Sequence, residues 1–180
     1  MRTTLLLTVL LAASVTVQAQ DMPTAAPADV ESPETIVQAV YASLERAPGD
    51  QFDWDRFLSL YLPEAILMPN TEQLGGSERR FTPQKYVDYI QAIYDAADYI
   101  GSPADTGFEE KEIHNVTHRL GDVAQVFSTY DKFAWQGDES LGRGINSFQL
   151  AYRGGRWWIV SGIWDEETGA GPIPDQFLSE

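Results

Sequence analysis

The chain of 180 residues has no cysteine, which excludes disulfides and thiolate metal sites. Basic side chains are scarce: 12 Lys and Arg stand against 27 Asp and Glu, a formal charge of −15. Such a surface repels nucleic acid phosphates and anionic lipid headgroups, whose binding depends on clustered Lys and Arg. Arg79-Arg80 is the only adjacent basic pair, too small to reverse that. Long apolar runs are also lacking. The stretch 5–15 falls well short of the ~20 residues that span a bilayer. With Met1-Arg2 before it and the small-x-small triplet Val17-Gln18-Ala19 after it, it reads as the core of a signal peptide cleaved after Ala19. Residues 1–19 are therefore assigned to export, and the mature protein is expected in the periplasm or outside a bacterial cell, with no membrane attachment once the signal is removed.

Residues 20–32 are rich in Ala, Pro and Asp without an apolar period, and they read as a disordered linker. Residues 33–180 make one domain, enough for a single core.

Ser32-Pro33-Glu34 opens a helix whose apolar stripe is Ile36, Val37, Val40, Tyr41 and Leu44, ended by Pro48-Gly49. Asp53 caps a short second helix through Trp54, Phe57, Leu58 and Tyr61, closed by Pro63, and a short strand follows over 65–68. Thr82-Pro83 starts a third helix with Tyr86, Tyr89, Ile90, Ile93 and Tyr94 along one side. After Gly107 the period becomes two. The run 109–120 pairs through Gly121-Asp122 with 123–135, and 141–153 pairs through Gly154-Gly155 with 156–166. Helices followed by an antiparallel sheet make an α+β fold, with three N-terminal helices packed on one face.

A two-residue Gly154-Gly155 loop fixes the register of the last hairpin. Tyr152 faces Trp157, Leu150 faces Ile159, and with unbroken pairing Phe148 meets Ser161, Asn146 meets Ile163 and Gly144 meets Asp165. One face then carries Asn146, Phe148, Trp157, Ile159, Ser161, Ile163 and Asp165 and takes the helices. The other carries Ile145, Gln149, Trp158, Val160 and Trp164, too apolar to face only water, and it is expected to be a homodimer interface.

The order helix, helix, LYLPEAILMP, helix, then a sheet ending in a Trp-rich strand resembles the nuclear transport factor 2-like superfamily, the cystatin-like cone. Within it, GDVAQVFSTYDKF, GRGINSFQLAYRGGRWWIVSGIWDEE and the closing PIPDQFL are similar to small exported bacterial proteins related to SnoaL-like domains. The resemblance covers 33–178. It implies a curved antiparallel sheet with the helices on its concave face, a pocket between them, and frequent dimers through the outer sheet face. Catalytic members of the superfamily use Asp, His, Tyr or Arg in that pocket for acid–base work.

On these grounds the expected pocket residues are Tyr61, Tyr89, Tyr130, Asn146, Phe148, Trp157, Ile159, Ser161 and Ile163, with Asp165 the one candidate catalytic group. Where several enzymes of the superfamily carry His or Asp in mid-strand, this chain has Ser161. His114 and His118 would share a helix face, but on a strand they stand ~13 Å apart, so no metal site and no cofactor is expected. Arg143 is expected to anchor Asp131 or Glu139, or to bind ligand. The reading for function is a pocket for a small hydrophobic ligand. The alternatives are a cofactor-free lyase, isomerase or hydrolase, and an interaction module with a filled cone.

Overall fold

The computed structural model describes residues 22–70, 79–97 and 99–178; the expected signal peptide lies outside them. Helices α1 (Pro33–Ser43) and α2 (Trp54–Ser59) are followed by strand β1 (Tyr61–Pro69) and helix α3 (Pro83–Ala96). Strands β2 (Glu109–Leu120), β3 (Val123–Phe133), β4 (Gly142–Arg153) and β5 (Arg156–Glu166) come next, and a short helix α4 (Glu167–Ala170) closes the series. None of the described helices is long and apolar enough to cross a membrane.

Local chemistry sets these boundaries. The Ser32 hydroxyl accepts from the Thr35 backbone N–H at 3.1 Å while the Thr35 hydroxyl accepts from the Ser32 N–H at 3.1 Å, so two otherwise orphaned donors are satisfied at the start of α1. Asp53 caps α2 through the Arg56 N–H at 3.0 Å. Gly154 and Gly155 both have positive φ, 61° and 84°, as a two-residue hairpin loop requires.

The sheet order is β1-β5-β4-β3-β2. β2 to β5 are antiparallel as expected, but β1 pairs parallel with β5, so the sheet is mixed. Pro63 does not close α2. It lies inside β1, where the ladder is interrupted between Tyr61 and Ile66, and an edge strand tolerates a residue without an N–H. The segment before α1 is also ordered from residue 22 onward. Ala25 and Val30 are buried, a 3-10 turn spans Pro27–Val30, and Asp29 takes a bidentate grip from Arg56 at 2.8 and 2.9 Å. Proline lowers the entropy lost by so short a turn, and one apolar anchor with one ion pair holds it.

The core lies between the helices and the inner sheet face. Ile36, Val37, Leu60, Val126, Trp157 and Ile159 are among its most buried members. On the outer face the C-terminal segment packs across β3: the Phe177 ring lies 5.2 Å from that of Phe127, and the Thr129 hydroxyl donates to the Phe177 carbonyl at 2.6 Å.

Candidate functional site

The register of the last hairpin holds from Arg153↔Arg156 to Leu150↔Ile159 and then slips. Gln149 meets Ser161, Phe148 meets Gly162, Asn146 meets Trp164 and Gly144 meets Glu166. Val160 is the extra residue of a β-bulge, and everything after it is turned over. Ser161, Ile163 and Asp165 therefore leave the inner face, while Trp164 and Glu166 enter it. The cause is visible at Gly162, where an added Cβ would stand 3.2 Å from the Phe148 ring and 3.2 Å from Leu67. The strand presents its one residue without a side chain to the place those two fill.

Between the helices and the inner face is a partly open cavity of ≈ 250 Å³. The helices supply Val40, Leu44, Phe57, Tyr86 and Tyr94; β1 supplies Tyr61 and Leu67, and Phe108 precedes β2. The sheet supplies Glu110, Tyr130, Lys132, Asn146, Phe148, Trp164 and Glu166. Ring contacts run along one wall: Tyr61 to Phe57 at 4.7 Å, Phe57 to Tyr86 at 5.9 Å, and Tyr86 edge-on to Trp164 at 5.5 Å. Tyr130 reaches over β4 because its cross-strand neighbour is Gly144. A Cβ there would overlap the Tyr130 hydroxyl and the Asp165 carbonyl.

The polar groups gather at one end. Lys132 donates to Glu166 Oε1 at 2.7 Å, and the Tyr130 hydroxyl approaches the same oxygen at 3.5 Å. Glu110 is the cross-strand partner of Lys132, yet it makes no ion pair among the described residues. Burial raises its carboxyl from the usual 4.5 to about 7; the Lys132 charge and the Asn146 amide oppose the rise, and Glu166 adds to it. Burial likewise raises the phenols of Tyr61, Tyr86 and Tyr130. The Tyr61 and Tyr86 hydroxyls have no protein hydrogen-bond partner among the described residues.

Behind the cavity runs a buried row of hydrogen bonds with one possible direction. Glu112 can only accept as a carboxylate, so the Ser128 hydroxyl donates to its Oε2. Tyr41 must then donate to Ser128, at 2.6 Å, and accept from Asn146 Nδ2, at 3.0 Å. Gln38 and Asn115 donate to the other oxygen of Glu112 at 2.7 and 3.0 Å.

Of the residues expected in the pocket, Tyr61, Tyr130, Asn146 and Phe148 line it. Trp157 and Ile159 lie on the same face but deeper, 1% and 0% exposed. Tyr89 is elsewhere, stacked on Phe81 at 5.2 Å beneath the Arg79 guanidinium. Ser161 and Ile163 are on the outer face. So is Asp165, which accepts from Asn70 at 2.7 Å and from the Glu166 N–H at 2.8 Å. Ile145, Gln149, Trp158 and Val160 remain outside, whereas Trp164 leaves the expected interface for the cavity. Arg143 binds Glu167 through two contacts of 2.9 and 3.0 Å, rather than Asp131 or Glu139. His114 and His118 lie on β2, and no group of His, Cys, Asp and Glu among the described residues could hold a metal ion.

Glu110, Lys132 and Glu166 were missed by sequence reasoning, although a signal existed. In β3 the inward set runs Ala124, Val126, Ser128, Tyr130, Lys132, and in β4 it runs Leu150, Phe148, Asn146. Both turn from apolar to polar at the same rung.

No protein-family model matches the chain, and a search of curated proteins finds no match. Among solved structures, a cystatin-like protein of unknown function from Nostoc punctiforme is similar with a TM-score of 0.57 at 12% identity, over 76% of this chain and 89% of that one. LinA is similar with a TM-score of 0.53 at 12% identity, over 78% and 93%. A second Nostoc punctiforme domain of unknown function, also cystatin-like, gives 0.50 at 11% identity over 73% and 75%. At these identities the likeness is one of architecture: the chain has a cystatin-like fold.

Proposed function

We propose that this protein binds a small, mainly apolar molecule in the cone, oriented by Glu110, Asn146 and Tyr130. The observation that carries the reading is an aromatic cavity of ≈ 250 Å³ with its polar groups confined to one end. Ligand sites are concave and mostly apolar with a few convergent polar groups, and they commonly measure about 300–1,000 Å³. A cavity just below that range suits a ligand with a single ring. In a thermal-shift screen of monocyclic metabolites, a true ligand is expected to raise the melting temperature, because it binds only the folded state. Val40→Phe, which fills the cavity from α1, should abolish that rise. A rise that survives Val40→Phe would place the ligand elsewhere.

A second reading, a cofactor-free isomerase or lyase, is favoured by Glu110, whose carboxyl titrates near neutrality as a general base or acid requires. On that reading Glu110→Gln retains binding and loses turnover, and turnover that persists in the variant excludes Glu110 as the base.

A homodimer through the outer sheet face is proposed as well. The apolar residues now exposed there are Ile66, Val160 and Ile163, beside Trp158 under the Arg156 guanidinium at 3.7 Å. Trp158→Glu should give monomers, since a self-complementary contact places the charge on both partners. Light scattering that finds wild-type monomer at micromolar concentration rules the dimer out. Export remains part of the proposal on the strength of the sequence.

A further inference from the structure

The charges in the cavity do not balance. Among the described residues Lys132 is its only Lys, Arg or His, and it is committed to Glu166 at 2.7 Å. Glu110 faces the same space with no ion pair of its own among the described residues. Two carboxylates share one ammonium, so the site is short by one positive charge whenever Glu110 is ionised. An anionic ligand would meet two acids and a cation already taken. A neutral ligand would leave Glu110 either protonated or charged and dry, and both states cost free energy. A ligand carrying a single positive charge completes the set.

The walls point the same way. Aromatic faces attract cations through their ring quadrupole, most strongly where water is excluded. Tyr86 stands edge-on to Trp164 at 84°, so the two rings form a corner, and Phe57 and Tyr61 continue the wall. Tyr61, only 2% exposed, lines the cavity, and its hydroxyl has no protein partner among the described residues, which leaves it free to accept from an ammonium N–H. The protein's formal charge of −15 raises the local concentration of cations over anions.

We infer that the cavity selects a small organic ammonium compound, an amine bearing one ring or a branched alkyl group, with Glu110 as its counter-ion and the Tyr86–Trp164 corner as its seat. This rests on the reading of the cavity as a ligand site, and the test separates the two. Benzylamine, benzyl alcohol and benzoate carry one ring and a charge of plus one, zero and minus one. Binding is measured by calorimetry at mildly alkaline pH, where Glu110 is ionised. Benzylamine is expected to bind at least about tenfold more tightly than benzyl alcohol, a difference of about 1.4 kcal/mol, and benzoate not at all. Glu110→Gln should erase the advantage of the amine while keeping the affinity for the alcohol. Asp165→Asn, which removes the same formal charge from the outer face, should change neither. If the alcohol binds as well as the amine, or benzoate binds best, the charge selection is overturned and the ligand site stands. If Glu110→Gln keeps the amine's advantage, the counter-ion is not Glu110 and the inference fails. Should none of the three bind at millimolar concentration, the inference and the binding reading fall together.

Discussion

Asp105→Ala is expected to cost about 3–5 kcal/mol of folding stability, the range for breaking a buried ion pair by removing one partner. Asp105 holds the Arg46 guanidinium through contacts of 3.0 and 2.9 Å, and the two side chains are 1% and 0% exposed. Its oxygens also accept from the backbone N–H groups of Gly49 at 2.8 Å, Gly101 at 3.1 Å and Gly107 at 2.9 Å. Alanine therefore strands a buried cation together with three backbone donors, of which that of Gly107 is buried, and a buried group left unmet costs free energy. Arg46 is also surrounded by the rings of Phe52, Tyr94 and Tyr99, at 5.3, 5.3 and 5.8 Å, so water cannot reach it easily as a substitute. Removing both charges should recover only part of the loss, because the three glycine donors still lack an acceptor. Arg46 and the glycine N–H groups hold the Asp105 carboxyl far below its usual 3.8. Stability from this group is thus fully present above about pH 4 and is lost as pH falls through the acid range. Urea denaturation at neutral pH checks the size; a loss below about 1 kcal/mol would be the range of an exposed surface pair and would remove the clasp from the account of the fold.

Glu110→Gln should act in the opposite direction. The folded protein raises this carboxyl from 4.5 to about 7, so in the folded state the proton is held where the unfolded chain has already released it. Wild-type stability from this group is fully present below about 4.5 and declines as pH rises through 7. The glutamine has the same shape and never becomes charged. At one pK unit per 1.36 kcal/mol, and allowing for a partly hydrated cavity, the variant gains roughly 2–3 kcal/mol above neutrality and almost nothing near pH 4.5. The groups that set this curve are Lys132 from β3, Asn146 from β4 and Glu166 from β5, and the phenols of Tyr41, Tyr61, Tyr86 and Tyr130 are near enough to be raised by the Glu110 charge in turn. Melting curves of the two proteins across pH should converge in acid and separate in alkali. Parallel curves would mean that Glu110 titrates normally.

The elements were legible because their signals are local. Ser32-Pro33 and Asp53 cap helices by their own chemistry, and Gly154-Gly155 dictates a two-residue turn whatever surrounds it. The inner and outer faces of the last hairpin were legible only as far as Ile159, since alternation has no memory of an inserted residue. Gly162 was the available warning: a glycine inside a strand marks a bulge or a close approach, and here it marks both. Glu110 was harder to see. Its importance depends on which cations remain unclaimed, and the claim of Glu166 on Lys132 spans 34 residues of sequence. The parallel docking of β1 on β5 likewise depends on packing that no periodicity encodes.

The row of hydrogen bonds from Asn146 through Tyr41 and Ser128 to Glu112 has a consequence for selectivity. A row of hydroxyls that ends on a group unable to donate has one arrangement, so the Asn146 amide cannot turn over to suit what arrives. Its Nδ2 is committed to Tyr41, and its oxygen has no protein partner among the described residues. A carboxylate at the back of the sheet thus decides, before any ligand enters, which way round this amide is held.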